Sequence, residues 1–163
     1  MSNLHTDMAI RYDTDRRRFD LALLTGETPT IQTDHGLETA VNAALFTDGR
    51  AREDDVLPDG TDRRGFWGEA WPSVGGFKLG SRLWLLDREI ITSQTVARVR
   101  EYGTEALQFL TKIGVAQSAV FDAVRDRNAG RWVISGHAVI KRPMGQIFER
   151  RYADIWQWMD RNS

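Results

Sequence analysis

Between Thr92 and Lys141 the spacing of apolar residues changes period, and that change limits what the chain can become. Val96, Val99, Gly103, Ala106, Leu110 and Ile113 recur every three or four residues, which is the signature of an amphipathic helix, with Thr92 or Ser93 as its N-cap and Gly114 as its stop. The pattern then turns extended. Val115 to Arg125 reads as a strand and Arg127-Asn128-Ala129-Gly130 as a turn. Arg131 to Lys141 reads as a second strand, with Trp132, Ile134, Ala138 and Ile140 on one face and Arg131, Ser135, His137 and Lys141 on the other. A long helix followed by a hairpin requires a helix packed on an antiparallel sheet. Gly103 in mid-helix costs about 1 kcal/mol relative to alanine, so the pattern predicts close packing there against a neighbouring backbone.

The earlier chain fits the same class. Met8 to Tyr12 and Phe19 to Leu23 predict a hairpin around Asp13-Thr14-Asp15, with Arg16, Arg17 and Arg18 as a solvated strand end and a short extended piece at Ile31. Leu37, Val41, Ala44 and Leu45 share a helical face that Asp48-Gly49 closes. Residues 50–61 read as a polar connection in which Glu53, Asp54 and Asp55 form a solvated acidic loop, without the alternating oxygen donors of a calcium site. At the end of the chain, Phe148, Tyr152 and Trp156 predict a strand that turns helical near Trp156. The expectation is one α+β domain over residues 1–163: N-terminal strands in 1–33, a helix at 37–48, a loop-rich Trp/Gly insertion at 50–90, a long helix at 92–113 and strands in 115–159. An antiparallel sheet packs on two helices.

Composition narrows the chemistry. The 22 basic and 23 acidic residues leave a formal charge of −1, so no whole-molecule attraction to nucleic acid is expected. Cysteine is absent, which excludes disulfides and thiolate metal sites. No apolar run of about 18 residues and no basic-then-apolar leader occurs, so a chain used without crossing a membrane is expected. His5, His35 and His137 stand in no ligand or triad spacing, His137 reads as a rim histidine, and no Walker, dinucleotide, nucleophile-elbow or zincin motif appears. No metal or cofactor is expected.

Asp62 to Leu86 is the least ordinary stretch, packing Trp67, Trp71 and Trp84 among five glycines with Arg63, Arg64 and Arg82 beside them. Glycines permit close backbone approach and tryptophans bury large area, so a compact folded loop is predicted, not a linker. Tryptophan and arginine are also the residues enriched at interface hot spots. Arg63, Arg64, Phe66, Trp67, Trp71, Arg82 and Trp84 are therefore the candidate protein interface, with part of the tryptophan set serving as core. A glycosidase would need a carboxylate pair, for which Asp62 and Glu69 are the candidates here.

The succession LETAVNAALFTDGRA (37–51), LPDGTDRRGFWGEAW (57–71), GSRLWLLDRE (80–89) and EYGTEALQFLTKIGVA (101–116) resembles the Mu-like phage tail protein family called gene product 46, with DRRGFWG the most specific block. The resemblance implies a baseplate wedge component of a contractile tail, related in role to the small, lysozyme-like wedge protein of T4-like phages, that helps the wedge assemble and starts the sheath. Its implied partners are a larger wedge protein, hub or spike proteins, and sheath or tube components; its implied location is the virion tail baseplate, assembled in the host cytoplasm. A peptidoglycan-cleaving, lysozyme-like tail enzyme is the alternative. By the same analogy LETAVNAALFTDGR stands for the wider group's first helix and loop, and GSRLWLL for its short apolar segment. The group's Glu-Pro-Arg motif after the long helix is missing, the region reading Phe109-Leu110-Thr111-Lys112-Ile113. A sheet edge near Trp132 to Lys141, or in the tail strand, is the expected place for a partner's strand to pair.

Overall fold

A computed structural model describes residues 7–8, 10–13, 18–21, 23–24, 30–31, 33–34, 37–58, 60–65 and 78–159, the runs before residue 37 as backbone. The described chain opens with short strands: β1 (Asp7–Met8), β2 (Ile10–Asp13), β3 (Arg18–Leu21), β4 (Leu23–Leu24), β5 (Thr30–Ile31) and β6 (Thr33–Asp34). β2 pairs with β3 and β4 with β5 as antiparallel hairpins, and β1 pairs with β6 around them. Ile10 faces Leu21 and Tyr12 faces Phe19, the hairpin that the alternation predicts. Arg16 and Arg17 lie outside the described residues, as do His5 and His35.

Helix α1 (Leu37–Phe46) buries Leu37, Val41, Ala44 and Leu45 as predicted, and Asn42 and Phe46 as well. The four-residue run Leu83–Leu86, whose sequence suits either class, forms a 3-10 turn with all four side chains buried. Helix α2 (Ser93–Lys112) begins at a reciprocal cap: Thr92 Oγ1 accepts from Thr95 N at 3.1 Å while Thr95 Oγ1 accepts from Thr92 N at 3.4 Å. At its other end Gly114, at φ 78°, lets the chain fold back so that Gly114 N bonds Thr111 O and Val115 N bonds Leu110 O. The buried stripe runs through Val96, Val99, Tyr102, Gly103, Leu107 and Leu110. It is centred slightly off the predicted one: Ile113 is the C-cap and 54% exposed, and Ala106 is half-buried.

Three strands follow, β7 (Ser118–Asn128), β8 (Arg131–Lys141) and β9 (Ile147–Tyr152), and then the short helix α3 (Ile155–Met159). They form an antiparallel meander in the order β7-β8-β9. β7 starts three residues later than the sequence suggests because the Val115 and Ala116 amides are already bonded to Leu110 O. It also ends later, since the turn needs only Ala129 and Gly130, both at positive φ (48° and 83°). That is the two-residue geometry whose twist matches flanking strands. The result is an α+β fold, with one sheet face covered by helices and carrying Ala119, Phe121, Ala123, Ile134, Ala138, Ile140 and Tyr152 into the core. Val133 is buried from the other face, which the alternation assigns to polar residues.

The ring of Phe121 explains two glycines at once. A Cβ at Gly103 would lie 2.6 Å from Phe121 Cγ, and one at Gly136 would meet Phe121 Cζ and approach Ile155 Cγ2 to 2.9 Å. The predicted close approach at Gly103 is therefore to an aromatic ring from β7, not to another backbone. The ring fills space that side chains on α2 and β8 would otherwise occupy.

Strand order corrects one expectation. β8 is the central strand over Gly136 to Lys141, paired with β7 on one side and β9 on the other, so it offers no edge there. The outer edge of β7 is occupied by side chains: Thr104 Oγ1 accepts from Phe121 N at 3.0 Å and donates to Phe121 O at 3.3 Å, and Arg100 Nε donates to Ala123 O at 2.8 Å. Asp122 Oδ1 takes Ala123 N, and Asp126 Oδ1 takes Arg127 N. β9 differs. Arg142 N bonds Gln146 O, so with the β8–β9 register Phe148, Arg150 and Tyr152 turn their backbone groups inward, and Ile147, Glu149 and Arg151 turn theirs outward. Among the described strands β9 pairs only with β8.

Candidate protein interface

The Trp/Gly segment brackets this region, but residues 66–77, including Phe66, Trp67, Glu69 and Trp71, lie outside the described residues. Arg63, Arg64, Arg82 and Trp84 are described and converge on the junction of α1, the 50–65 loop and α2.

Arg82 is the hub. It sits just before the 3-10 turn, only 7% exposed. Its Nη1 bonds both Asp55 oxygens, at 2.8 and 3.1 Å, its Nη2 bonds Glu105 Oε2 at 2.5 Å, and its Cζ lies 4.1 Å from the centre of the Tyr102 ring. Glu105 also receives Arg52 Nη2 on its other oxygen at 2.6 Å, while Asp55 Oδ2 accepts from Arg52 N at 2.7 Å. A guanidinium presents its donors in a rigid fork, so it holds two carboxylates in one plane where a lysine would hold one. Asp55 is thus half-buried and paired, its side chain only 9% exposed, and not part of a solvated acidic loop; Glu53 and Asp54 remain exposed.

Electrostatics follow the geometry. Burial opposes the charge on Arg82, but hydrogen bonding and attraction from Glu105 and Asp55 outweigh it and raise its pKa. Burial likewise favours a protonated Glu105, yet the bonds and charges of Arg82 and Arg52 outweigh that and hold its carboxyl below the ordinary value. Burial pushes the Tyr102 hydroxyl upward.

Trp84, 5% exposed, is core: its Nε1 donates to Gly49 O at 2.8 Å and Arg64 Cζ lies 4.4 Å from its ring centre. Arg64 is exposed at φ 48° and pairs with Asp48 at 3.0 Å, and its backbone N bonds Asp62 Oδ1 at 2.8 Å. Arg63 is half-buried and caps two loop carbonyls, of Arg52 and Glu53. Of the candidate residues described, Arg82 and Trp84 are buried within that junction, and Arg63 and Arg64 form its outer layer. Sequence reasoning missed Asp55, Glu105 and Tyr102. Glu105 was legible only as Tyr102 plus three on one helix, and Asp55 only as an acid in a loop.

A cleft of about 670 Å³ runs beside α2, with Arg52, Arg100, Glu105 and Asp122 in its wall. A general acid there would need a carboxyl with a raised pKa. Glu105 is lowered instead, and Asp122 pairs with Arg100 at 2.7 Å. Asp62 closes an exposed turn. His137 lies on the sheet face away from the core with Nε2 3.3 Å from Glu149 Oε2, a rim position. No group of three or more potential metal ligands occurs among the described residues, and no helix among them is long and apolar enough to cross a membrane.

The chain is similar to known proteins over much of its length. It is 49% identical over 83 residues to the baseplate protein gp46 of Escherichia phage Mu, a match covering 50% of this chain and 55%, about half, of that relative. It is 29% identical over 129 residues to the FluMu protein gp46 of a Mu-like prophage of Haemophilus influenzae, covering 79% of this chain and 85% of the relative. The model of the family described as phage protein GP46 matches residues 37–146, which contain α1, the Arg82 hub, α2, β7 and β8. With the hub and two of the three sheet strands inside that span, the chain belongs to the phage protein GP46 family.

Proposed function

We propose that this chain is a structural component of a phage tail baseplate that works by binding other baseplate proteins. The observation that carries this reading is the relationship to a protein named as a baseplate protein, over a segment containing residues of the Arg82 hub. The fold supports it: buried ion pairs and a helix-capped sheet give a rigid body, and a component of an assembled machine needs rigidity and contact surface more than a reactive constellation.

At finer grain, the reading places the chain in the wedge of a contractile tail, where it helps wedge assembly and sheath initiation. Arg63, Arg64, Phe66, Trp67 and Trp71, backed by Arg82 and Trp84, meet a larger wedge protein. The outward edge of β9 pairs with a strand of a sheath, hub or tube component. The protein is assembled in the host cytoplasm and resides in the virion tail.

Deleting the gene from a phage or prophage that carries it tests the role. Electron microscopy should show tails without sheathed, baseplate-bearing ends, restored by the gene in trans; normal tails from the deletion would overturn it. Glu149→Pro tests the edge, because proline removes an outward N–H that β8 does not use. The variant should fold and yet fail to restore tails.

A further inference from the structure

At its far end the β7–β8 hairpin runs past the core. The face that elsewhere carries Phe121, Ala123, Ile134 and Ala138 inward here carries Arg125, Arg127 and Trp132. Trp132 pairs across the strands with Arg127 and is 49% exposed. Arg125 Cζ lies 3.8 Å and Arg127 Cζ 5.0 Å from the centre of its ring.

Two guanidiniums on one indole is an unbalanced arrangement. Arg52, Arg64, Arg82, Arg98, Arg100, Arg131 and Arg150 each meet a carboxylate within the chain. Among the described residues Arg125 and Arg127 meet none. Asp126, between them in sequence, projects from the opposite face, where it bonds Ser135 Oγ, and Asp154 is engaged by Arg131. The ring attracts the two cations but leaves their mutual repulsion unneutralised, and their forked donors stay open to solvent.

The geometry points to this hairpin end as a docking surface for a carboxylate-rich segment of a protein partner. Guanidinium forks recognise Asp and Glu carboxylates in a bidentate way, and the half-exposed indole gives the partner an apolar surface to cover. Charge complementarity selects the occupant. Nucleic acid binding needs a track of cations along a backbone, whereas here two arginines stand on a chain with 22 basic and 23 acidic residues. In sequence the surface is distinct from the Trp/Gly segment, and its link to tail assembly rests on the proposed baseplate role.

The purified chain is titrated with a hexaglutamate peptide, a hexalysine peptide and a dT6 oligonucleotide while the Trp132 indole and the Arg125 and Arg127 side chains are followed by NMR. Hexaglutamate alone should shift these signals, and Arg125→Glu/Arg127→Glu should weaken that binding roughly tenfold or more with an unchanged melting temperature. No shift with hexaglutamate, or an equal or larger shift with dT6, overturns the proposal. If the double glutamate variant folds poorly, Arg125→Gln/Arg127→Gln replaces it with the same expectation. In the deletion strain the double variant should fail to restore tails. Full restoration would overturn the docking role in assembly, whereas normal tails from the deletion itself would overturn the baseplate reading and leave the titration to decide the surface.

Discussion

The Tyr152 hydroxyl donates a 2.7 Å hydrogen bond to Asn42 Oδ1, joining the end of β9 to the middle of α1 across 110 residues of sequence. Both residues are buried, and Asn42 Nδ2 has no partner among the described residues. Around the bond, Phe46, Tyr152 and Trp158 meet with ring centroids 5.1 to 5.4 Å apart. The pair ties the C-terminal segment, which lies beyond the family match, to the first helix inside it. Removing the hydroxyl with Tyr152→Phe leaves a second buried polar atom unsatisfied, so a loss of about 1–3 kcal/mol is expected in chemical denaturation. Adding Asn42→Leu should recover part of it, and strictly additive losses would mean the bond is not the coupling.

Arg82 gives a larger effect. Arg82→Met would leave the Asp55 carboxylate, 9% exposed, without its cation and loosen Glu105. Breaking a buried pair from one side costs about 3–5 kcal/mol, which corresponds to a fall in melting temperature of roughly 6–20 °C at 2–4 °C per kcal/mol for a chain of this size. Arg82→Lys should rescue only a fraction, because one ammonium cannot hold both carboxylates in the same plane. Full rescue by lysine would show that charge, not the fork, matters.

Gly103→Ala sets helix propensity against packing. Propensity alone favours alanine by about 1 kcal/mol, but the added methyl would collide with Phe121. A destabilised variant is expected, with Phe121→Leu partly restoring it. A melting temperature above the wild type would mean that the ring moves aside freely.

Ala129 holds φ 48° at the first position of the hairpin turn, where a residue with a Cβ is strained by about 1–2 kcal/mol. Ala129→Asn gives the asparagine–glycine pair that this turn favours. Thermal unfolding should shift upward, by about 0.5–1 kcal/mol once partial relief is allowed for. No gain would indicate that the turn relaxes in solution.

Acid should expose the Glu105 contribution. Its folded-state pKa is lowered, so the stability it supplies is complete above the ordinary carboxylate value of about 4.3 and is lost as pH falls through the lowered one. Denaturation curves between pH 7 and 3 should therefore show wild-type stability falling below about pH 4, with a flatter decline for Glu105→Gln. Equal slopes would place the acid sensitivity elsewhere.

The sequence revealed the elements better than their connections. α2 and the β7–β8 hairpin were legible because period and turn residues are local properties, and Gly114 and Gly130 mark their ends directly. The burial stripe is displaced by a fraction of a turn because Tyr102 and Leu107 belong to the buried face, and Ile113, though apolar, caps the helix. The partners of Arg82 were not legible. Asp55 and Glu105 are 27 and 23 residues from it, and nothing local tells an ion-paired acid from a solvated one. The order β7-β8-β9, which makes the strand with the clearest alternation central instead of peripheral, depends on pairing and not on pattern.

The side chains on the outer edge of β7 have one further consequence. Among the described residues, Thr104 and Arg100 hold the outward backbone groups of Phe121 and Ala123, whereas β9 pairs with no described strand but β8. The two sides of the sheet are therefore unequal. A strand arriving at the middle of β7 would first have to displace those side chains, a cost that one arriving at β9 would not meet.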